Sequence, residues 1–188
     1  RALLIRRHHT GRTDTLPFPR ADYGEFRVAP DGRHAMLSVW PPSASREGVI
    51  VDLERGVQLT TVASDMRRGQ SAWWPDGKSV LIHNGEAPRV YTTRVAASSG
   101  QIIDTVRHGA FAYAASPDSS QLLVGTPDRE LWLAPRVTSR GTGVRIARAP
   151  AFFASFSPDG QWICYTSRVA GKYEVMLVRT TRPGESYQ

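Results

Sequence analysis

The chain has 188 residues, of which 40% are hydrophobic and 22% charged, a composition that excludes wholesale disorder and suits a globular core. No apolar run approaches the roughly 18–20 residues of a spanning helix, so a transmembrane helix is excluded as well. Net charge is +7 and the pI about 10.2, which disfavours basic partners and admits acidic ones.

In chain order, residues 2–6 read as a strand, followed by the densest basic cluster, Arg6-Arg7-His8-His9 with Arg12 nearby. Residues 12–16 read as an outer strand of the same unit. A four-part pattern then begins. Phe26-Arg27-Val28 leads into Ala29-Pro30-Asp31-Gly32, and then come the apolar run Ala35-Met36-Leu37, a second run Val49-Ile50-Val51 and a more polar third run Gly56-Val57-Gln58-Leu59. The next pass is Ser71-Ala72-Trp73, Trp74-Pro75-Asp76-Gly77, Val80-Leu81-Ile82, Arg89-Val90-Tyr91 and Gly100-Gln101-Ile102-Ile103. The third is Phe111-Ala112-Tyr113-Ala114, Ser116-Pro117-Asp118-Ser119, Leu122-Leu123-Val124, Leu131-Trp132-Leu133 and Gly143-Val144-Arg145-Ile146. The fourth is Phe153-Ala154-Ser155-Phe156, Ser157-Pro158-Asp159-Gly160, Ile163-Cys164-Tyr165 and Val175-Met176-Leu177, and it stops near Tyr187 at its fourth strand.

The prolines recur at 45, 42 and 41 residues, a period of propeller blades or helical-pair solenoids. Short runs rich in β-branched and aromatic residues, punctuated by Gly, Pro, Ser and Asp, select strands over helices. Apolar residues on both faces of the run after each Pro-Asp-Gly require cover on both sides, the environment of a blade between two others. The expected fold is therefore all-β: four-stranded antiparallel blades, about four blades' worth, cut mid-blade at both ends. Approximate units are 1–22 (the end of a blade), 23–65, 66–108, 109–149 and 150–188 (an incomplete blade). Propellers close with 4 to 8 blades, so the expectation is part of a six- to eight-bladed ring, with two apolar blade faces left exposed and the ring's remaining blades as partners.

Pro presets φ for a tight turn, Asp caps nearby backbone N–H groups, and Gly takes positive φ. Asp31, Asp76, Asp118 and Asp159 are expected as turn builders and not catalytic carboxylates. Ser119 stands where the other units have Gly, so its turn is expected to be strained or of another type.

The residues Ser157-Pro158-Asp159-Gly160-Gln161-Trp162-Ile163-Cys164-Tyr165-Thr166-Ser167 resemble the TolB-like, WD-repeat-like β-propeller repeat. The continuation Gly171-Lys172-Tyr173-Glu174-Val175-Met176-Leu177-Val178-Arg179, with Arg182-Pro183-Gly184 after it, is similar to the last repeat of the propeller in the C-terminal region of bacterial serine/threonine protein kinases. Residues 16–23 are similar to the linker before a blade in those proteins. Ala29, Trp74 and Ser119 depart from the signature, as does Met176-Leu177 from the kinase-linked pattern. Related repeats occur in TolB itself and in propellers of prolyl-oligopeptidase-like peptidases. The resemblance implies a non-catalytic sensing or interaction module for a protein or small-molecule ligand, outside the cytoplasmic membrane in kinase-linked members. The alternatives it leaves are the accessory propeller of a peptidase and a TolB-like periplasmic scaffold.

No nucleophile elbow, phosphate loop or kinase signature occurs, so no catalytic residue is assigned. No cofactor site and no metal site are assigned either: His8 and His9 would point to opposite faces of a strand, and His34, His83 and His108 fall at unrelated offsets. Gly141-Thr142-Gly143 reads as a hairpin turn. Cys164 is the only cysteine, which excludes an intrachain disulfide, and its repeat counterparts Met36, Leu81 and Leu123 give it a core role. Only Lys78 and Lys172 are lysines, so the basic excess is arginine spread along the whole chain, and nucleic acid is disfavoured because no recognition motif accompanies it. Trp73 and Trp132 fall on apolar strand positions and are expected in the core. Trp40 opens the longest loop, residues 40–48, and Trp74 sits beside a turn where it could stack on a ligand or pack against the next blade. The expected contact surface is Trp40, Arg46, Trp74 and His83.

Overall fold

The computed structural model describes residues 5–7, 10–18, 21–40, 46–63, 71–85, 89–136, 143–148 and 150–188. All regular structure among them is β. A two-stranded pair, β1 (Ile5–Arg7) and β2 (Thr13–Thr15), precedes four antiparallel sheets of four strands each. The first blade is β3 (Asp22–Val28), β4 (His34–Trp40), β5 (Glu47–Asp52) and β6 (Val57–Ala63). The second is β7 (Ser71–Trp73), β8 (Ser79–Asn84), β9 (Tyr91–Ala96) and β10 (Ile102–His108). The third is β11 (Phe111–Ala115), β12 (Gln121–Gly125), β13 (Leu131–Pro135) and β14 (Val144–Ala147). The fourth is β15 (Ala151–Phe156), β16 (Trp162–Val169), β17 (Lys172–Arg179) and β18 (Arg182–Tyr187). The first strands β3, β7, β11 and β15 touch in succession, which makes them the inner strands of a propeller. The cluster at His8-His9 and most of Gly141-Thr142-Gly143 lie outside the described residues.

Apolar interfaces between blades hold the arrangement together. Met36, Ile50 and Val62 of the first blade pack on Val80, Ile82 and Val95 of the second. Trp74 and Leu81 pack on Ala112, Leu122 and Val124 of the third. Leu123 and Leu133 pack on Ala151, Ile163 and Tyr165 of the fourth. The middle residue of each run, Met36, Leu81 and Leu123, thus faces the following blade, and in the second and third blades its two neighbours, Val80 and Ile82 or Leu122 and Val124, face the preceding one. Period-2 alternation produces this two-sided burial.

Three details depart from expectation. Residues 150–188, read as an incomplete blade, form a four-stranded sheet, because the segment holding Pro183 pairs with β17 at the sheet edge, where a missing N–H costs nothing. In the second blade the third strand starts at Tyr91, so Arg89-Val90-Tyr91 marks only its edge. Its body is Thr92-Thr93-Arg94, polar side chains that find partners and so hide the strand from an apolar pattern. The front face of the first blade is not bare: Ala35, Leu37, Val49 and Val51 are buried with Phe18 against them.

Candidate interaction surfaces

The four signature turns share one geometry. Gly32, Gly77, Ser119 and Gly160 donate their N–H to the carbonyls of Ala29, Trp74, Ser116 and Ser157 at 2.7–2.9 Å, with φ between 60° and 70°. Ser119, at φ 60°, therefore makes the same turn as the glycines, in a left-handed conformation that costs a residue with a Cβ. Each Asp accepts a backbone N–H two residues on: Arg33 to Asp31 at 2.8 Å, Lys78 to Asp76 at 2.8 Å, Ser120 to Asp118 at 3.1 Å and Gln161 to Asp159 at 3.0 Å. Asp31 also takes the His34 N–H at 3.0 Å and the imidazole Nδ1 at 2.6 Å, and these bonds hold its carboxyl at about 2. The hydroxyls of Ser116 and Ser120, with the Ser120 N–H, hold Asp118 at about 2 as well. These carboxylates are committed to turns. Among the described residues no three His, Cys, Asp or Glu side chains cluster as metal ligands.

The expected contact residues fall into separate places. β4 runs away from its turn, so Trp40 ends the blade at the opposite rim from Trp74, which stands in a turn. Trp40 is 41% exposed, and the Arg46 guanidinium carbon lies 3.8 Å from its ring centroid, over Gly24, where any Cβ would collide with both side chains. Burial pushes the Arg46 pKa down, while Glu25 opposes that shift. Trp74 is only 2% exposed: it packs against the third blade and is not available for stacking on a ligand. His83 is 4% exposed, bonded through Nε2 to the Ala112 carbonyl at 2.9 Å and flanked by the rings of Phe111 and Tyr113. Burial pushes its pKa down to about 4, so it is a neutral interior group. Trp40 and Arg46 are brought together; Trp74 and His83 are each taken inside at the next junction.

What the repeat pattern missed are the arginines around Trp74. Arg94 and Arg136 place their guanidinium carbons 4.6 and 5.0 Å from its ring centroid, and Arg94 donates to Asp76 Oδ2 at 2.6 Å and Ser79 Oγ at 2.8 Å. The signal lay in the repeat positions. Register pairs Met36 with Ile50 and Leu81 with Arg94, so an arginine stands where the first blade has Ile50. Ala97 and Arg136 are equivalent as well, each donating its N–H to a carbonyl of its own turn, Lys78 at 3.0 Å and Ser120 at 2.9 Å. At the junction of the first two blades the three positions are thus Ala29, Ile50 and Ala97. A half-open cleft of about 460 Å³ lies there, lined by Asp31, His34, Ile50, Leu59, Trp73 and Lys78, with Gly77, Ala97 and Ser98.

The outer face of the fourth blade is apolar and open. Tyr173, Val175, Leu177 and Tyr187 are exposed there, with Cys164 partly so. Cys164 pairs in register with Leu177, as Met36 does with Ile50 and Leu123 with Leu133, yet those pairs lie beneath a following blade. The core role expected for Cys164 is therefore only half met.

No protein-family model and no curated protein matches the chain in sequence. Solved structures do match in fold. TolB from Acinetobacter baumannii aligns over 95% of this chain and 46% of its own, at a TM-score of 0.75 and 17% identity. A putative TolB from Agrobacterium tumefaciens aligns over 97% of this chain and 66% of its own, at 0.72 and 15%. Hydrazine synthase from Kuenenia stuttgartiensis aligns over 86% and 47%, at 0.59 and 21%. The chain spans less than two thirds of each of these proteins. At such identities the likeness speaks for the fold alone, and that fold is the TolB-like β-propeller.

Proposed function

We propose that the chain is a non-catalytic binding module, recognising a protein or small ligand through surfaces of the propeller, with no bond chemistry. One observation carries this reading: the acidic side chains of the repeat are spent on holding turns, while apolar and aromatic groups such as Trp40, Tyr173 and Leu177 remain exposed. Its setting is the sensory and interaction region of a bacterial serine/threonine kinase-type signalling protein, outside the cytoplasmic membrane. The sequence of the last blade, Gly171 to Arg179, supports that setting by resemblance. A TolB-like scaffold of an envelope complex is the second reading, favoured by the two TolB folds.

The test is to read the encoding gene through both flanks and assay the purified chain. An upstream kinase domain followed by one spanning helix supports the sensor. A cleavable signal and a small α/β domain upstream support the scaffold. A Ser-Asp-His hydrolase domain downstream makes these blades a peptidase accessory and overturns both settings. Saturable turnover by the chain alone overturns the binding-module reading itself.

A further inference from the structure

We propose that the cleft between the first and second blades is a binding site for a planar aromatic group bearing a carboxylate. This goes beyond a general binding role, and the internal comparison of junctions is what carries it. At the second junction the equivalent space is plugged by the Trp74 indole, with the guanidinium carbons of Arg94 and Arg136 at 4.6 and 5.0 Å from its ring centroid. At the first junction Ile50, Ala29 and Ala97 replace all three, and the plug is missing while the walls remain.

Bonds that cross the junction hold those walls in place. Trp73 Nε1 donates to the Arg27 carbonyl at 2.8 Å, and the Thr60 hydroxyl donates to the Ser98 carbonyl at 3.1 Å. The cleft is therefore preformed, which reduces the ordering cost of binding. Ile50, Leu59 and Trp73 give it an apolar floor, with Leu59 left 47% exposed. A volume of about 460 Å³ lies within the range of small-molecule sites. An aromatic ring replaces the missing indole in shape and polarity.

The carboxylate follows from charge. Lys78 stands at the rim, and among the described residues no acid pairs with its ammonium. The acid at the same rim, Asp31, already accepts two backbone N–H groups and the His34 imidazole, so its charge is compensated locally. The net charge of +7 adds a long-range attraction for anions.

The experiment titrates the full chain with indole-3-propionate, indole-3-propionamide and tryptamine, following binding by calorimetry and amide NMR shifts. The acid is expected to bind saturably with a dissociation constant on the order of 0.1–1 mM, shifting amides of residues 31–34, 77–78 and 97–98. Ala97→Arg, which supplies the side chain found at the next junction, should abolish binding. Lys78→Ala, at an exposed position, should weaken it about five- to tenfold and bring the acid level with the amide. A short peptide ending in Trp with a free carboxylate tells the source apart: tighter binding than the free acid points to a chain terminus, weaker binding to a small acid. No saturable binding to the unsubstituted chain overturns the proposal. So does equal or tighter binding of propionamide or tryptamine, or unchanged affinity in Lys78→Ala. If Ala97→Arg fails to fold, Lys78→Ala and the probe series decide.

Discussion

The guanidinium of Arg94 lies 4.6 Å from the ring centroid of Trp74 while its Nη2 donates to Asp76 at 2.6 Å. A turn aspartate, the tryptophan before the turn proline and an arginine 20 residues on are thereby locked into one unit, joined by Arg136, whose guanidinium carbon lies 5.0 Å from the same ring centroid. The unit fills the second blade junction with charged side chains whose charge is either paired or spread over a ring face.

Trp74→Ala should cost about 3–5 kcal/mol, as truncation of a buried tryptophan does, because it leaves a cavity beside Leu81, Ala112, Leu122 and Val124. Arg94→Ala should cost about 1.5–3 kcal/mol through lost charge-assisted bonds to Asp76 and Ser79. Urea unfolding followed by tryptophan fluorescence checks both. A loss under about 1 kcal/mol in Trp74→Ala would contradict the buried stack.

Ser119→Gly should stabilise the chain by about 0.5–1 kcal/mol. The left-handed φ of 60° is strained for serine and free for glycine, and among the described residues no hydrogen bond of the Ser119 side chain offsets the strain. Gly32→Ala, in the equivalent turn with open space around its Cα, should destabilise by a similar amount. Shifts of the thermal midpoint in opposite directions are the readout.

His83 should make stability fall with acid. Its folded pKa of about 4 lies below the ordinary 6.5, so the unfolded chain takes up a proton first. Its share of stability is full above pH 6.5 and is lost as pH falls toward 4, up to about 3 kcal/mol. Asp31 and Asp118, held at about 2, keep their contribution above 3.8 and lose it only as pH falls from there toward 2. The two windows are therefore separate. His83→Gln, which keeps a donor for the Ala112 carbonyl, should remove the slope between pH 6.5 and 4 and leave the lower window in place.

The open face of the fourth blade should drive self-association. Val175→Glu or Leu177→Lys, both at exposed strand positions, should lower the apparent mass at high concentration in sedimentation velocity and leave the circular dichroism unchanged. If neither substitution changes the mass distribution, the face is not the one that associates.

Much of the fold was legible in the sequence because its signals are local. Pro30, Pro75, Pro117 and Pro158 set tight turns within four residues, the aspartate after each caps its own loop, and the runs that follow alternate with the pleat. Each of these follows from φ, ψ and neighbouring hydrogen bonds. Arg94 shows where a local reading stops: Thr92-Thr93-Arg94 lacks an apolar pattern, and only the partners on other strands make it a strand.

The sequence by itself determined the blades, their turns and the structural use of the turn aspartates. Only the tertiary structure decided what each blade junction contains. Trp74 and His83 read as surface residues from their own neighbourhoods, and whether they are exposed depends on groups 20 to 62 positions away in the chain, the side chains of Arg94 and Arg136 and the carbonyl of Ala112. The same holds for the cleft beside Trp73. A repeat states which positions meet across a junction, whereas the volumes of the residues standing there, Ile50 and Ala97 against Arg94 and Arg136, decide whether the junction is closed or open.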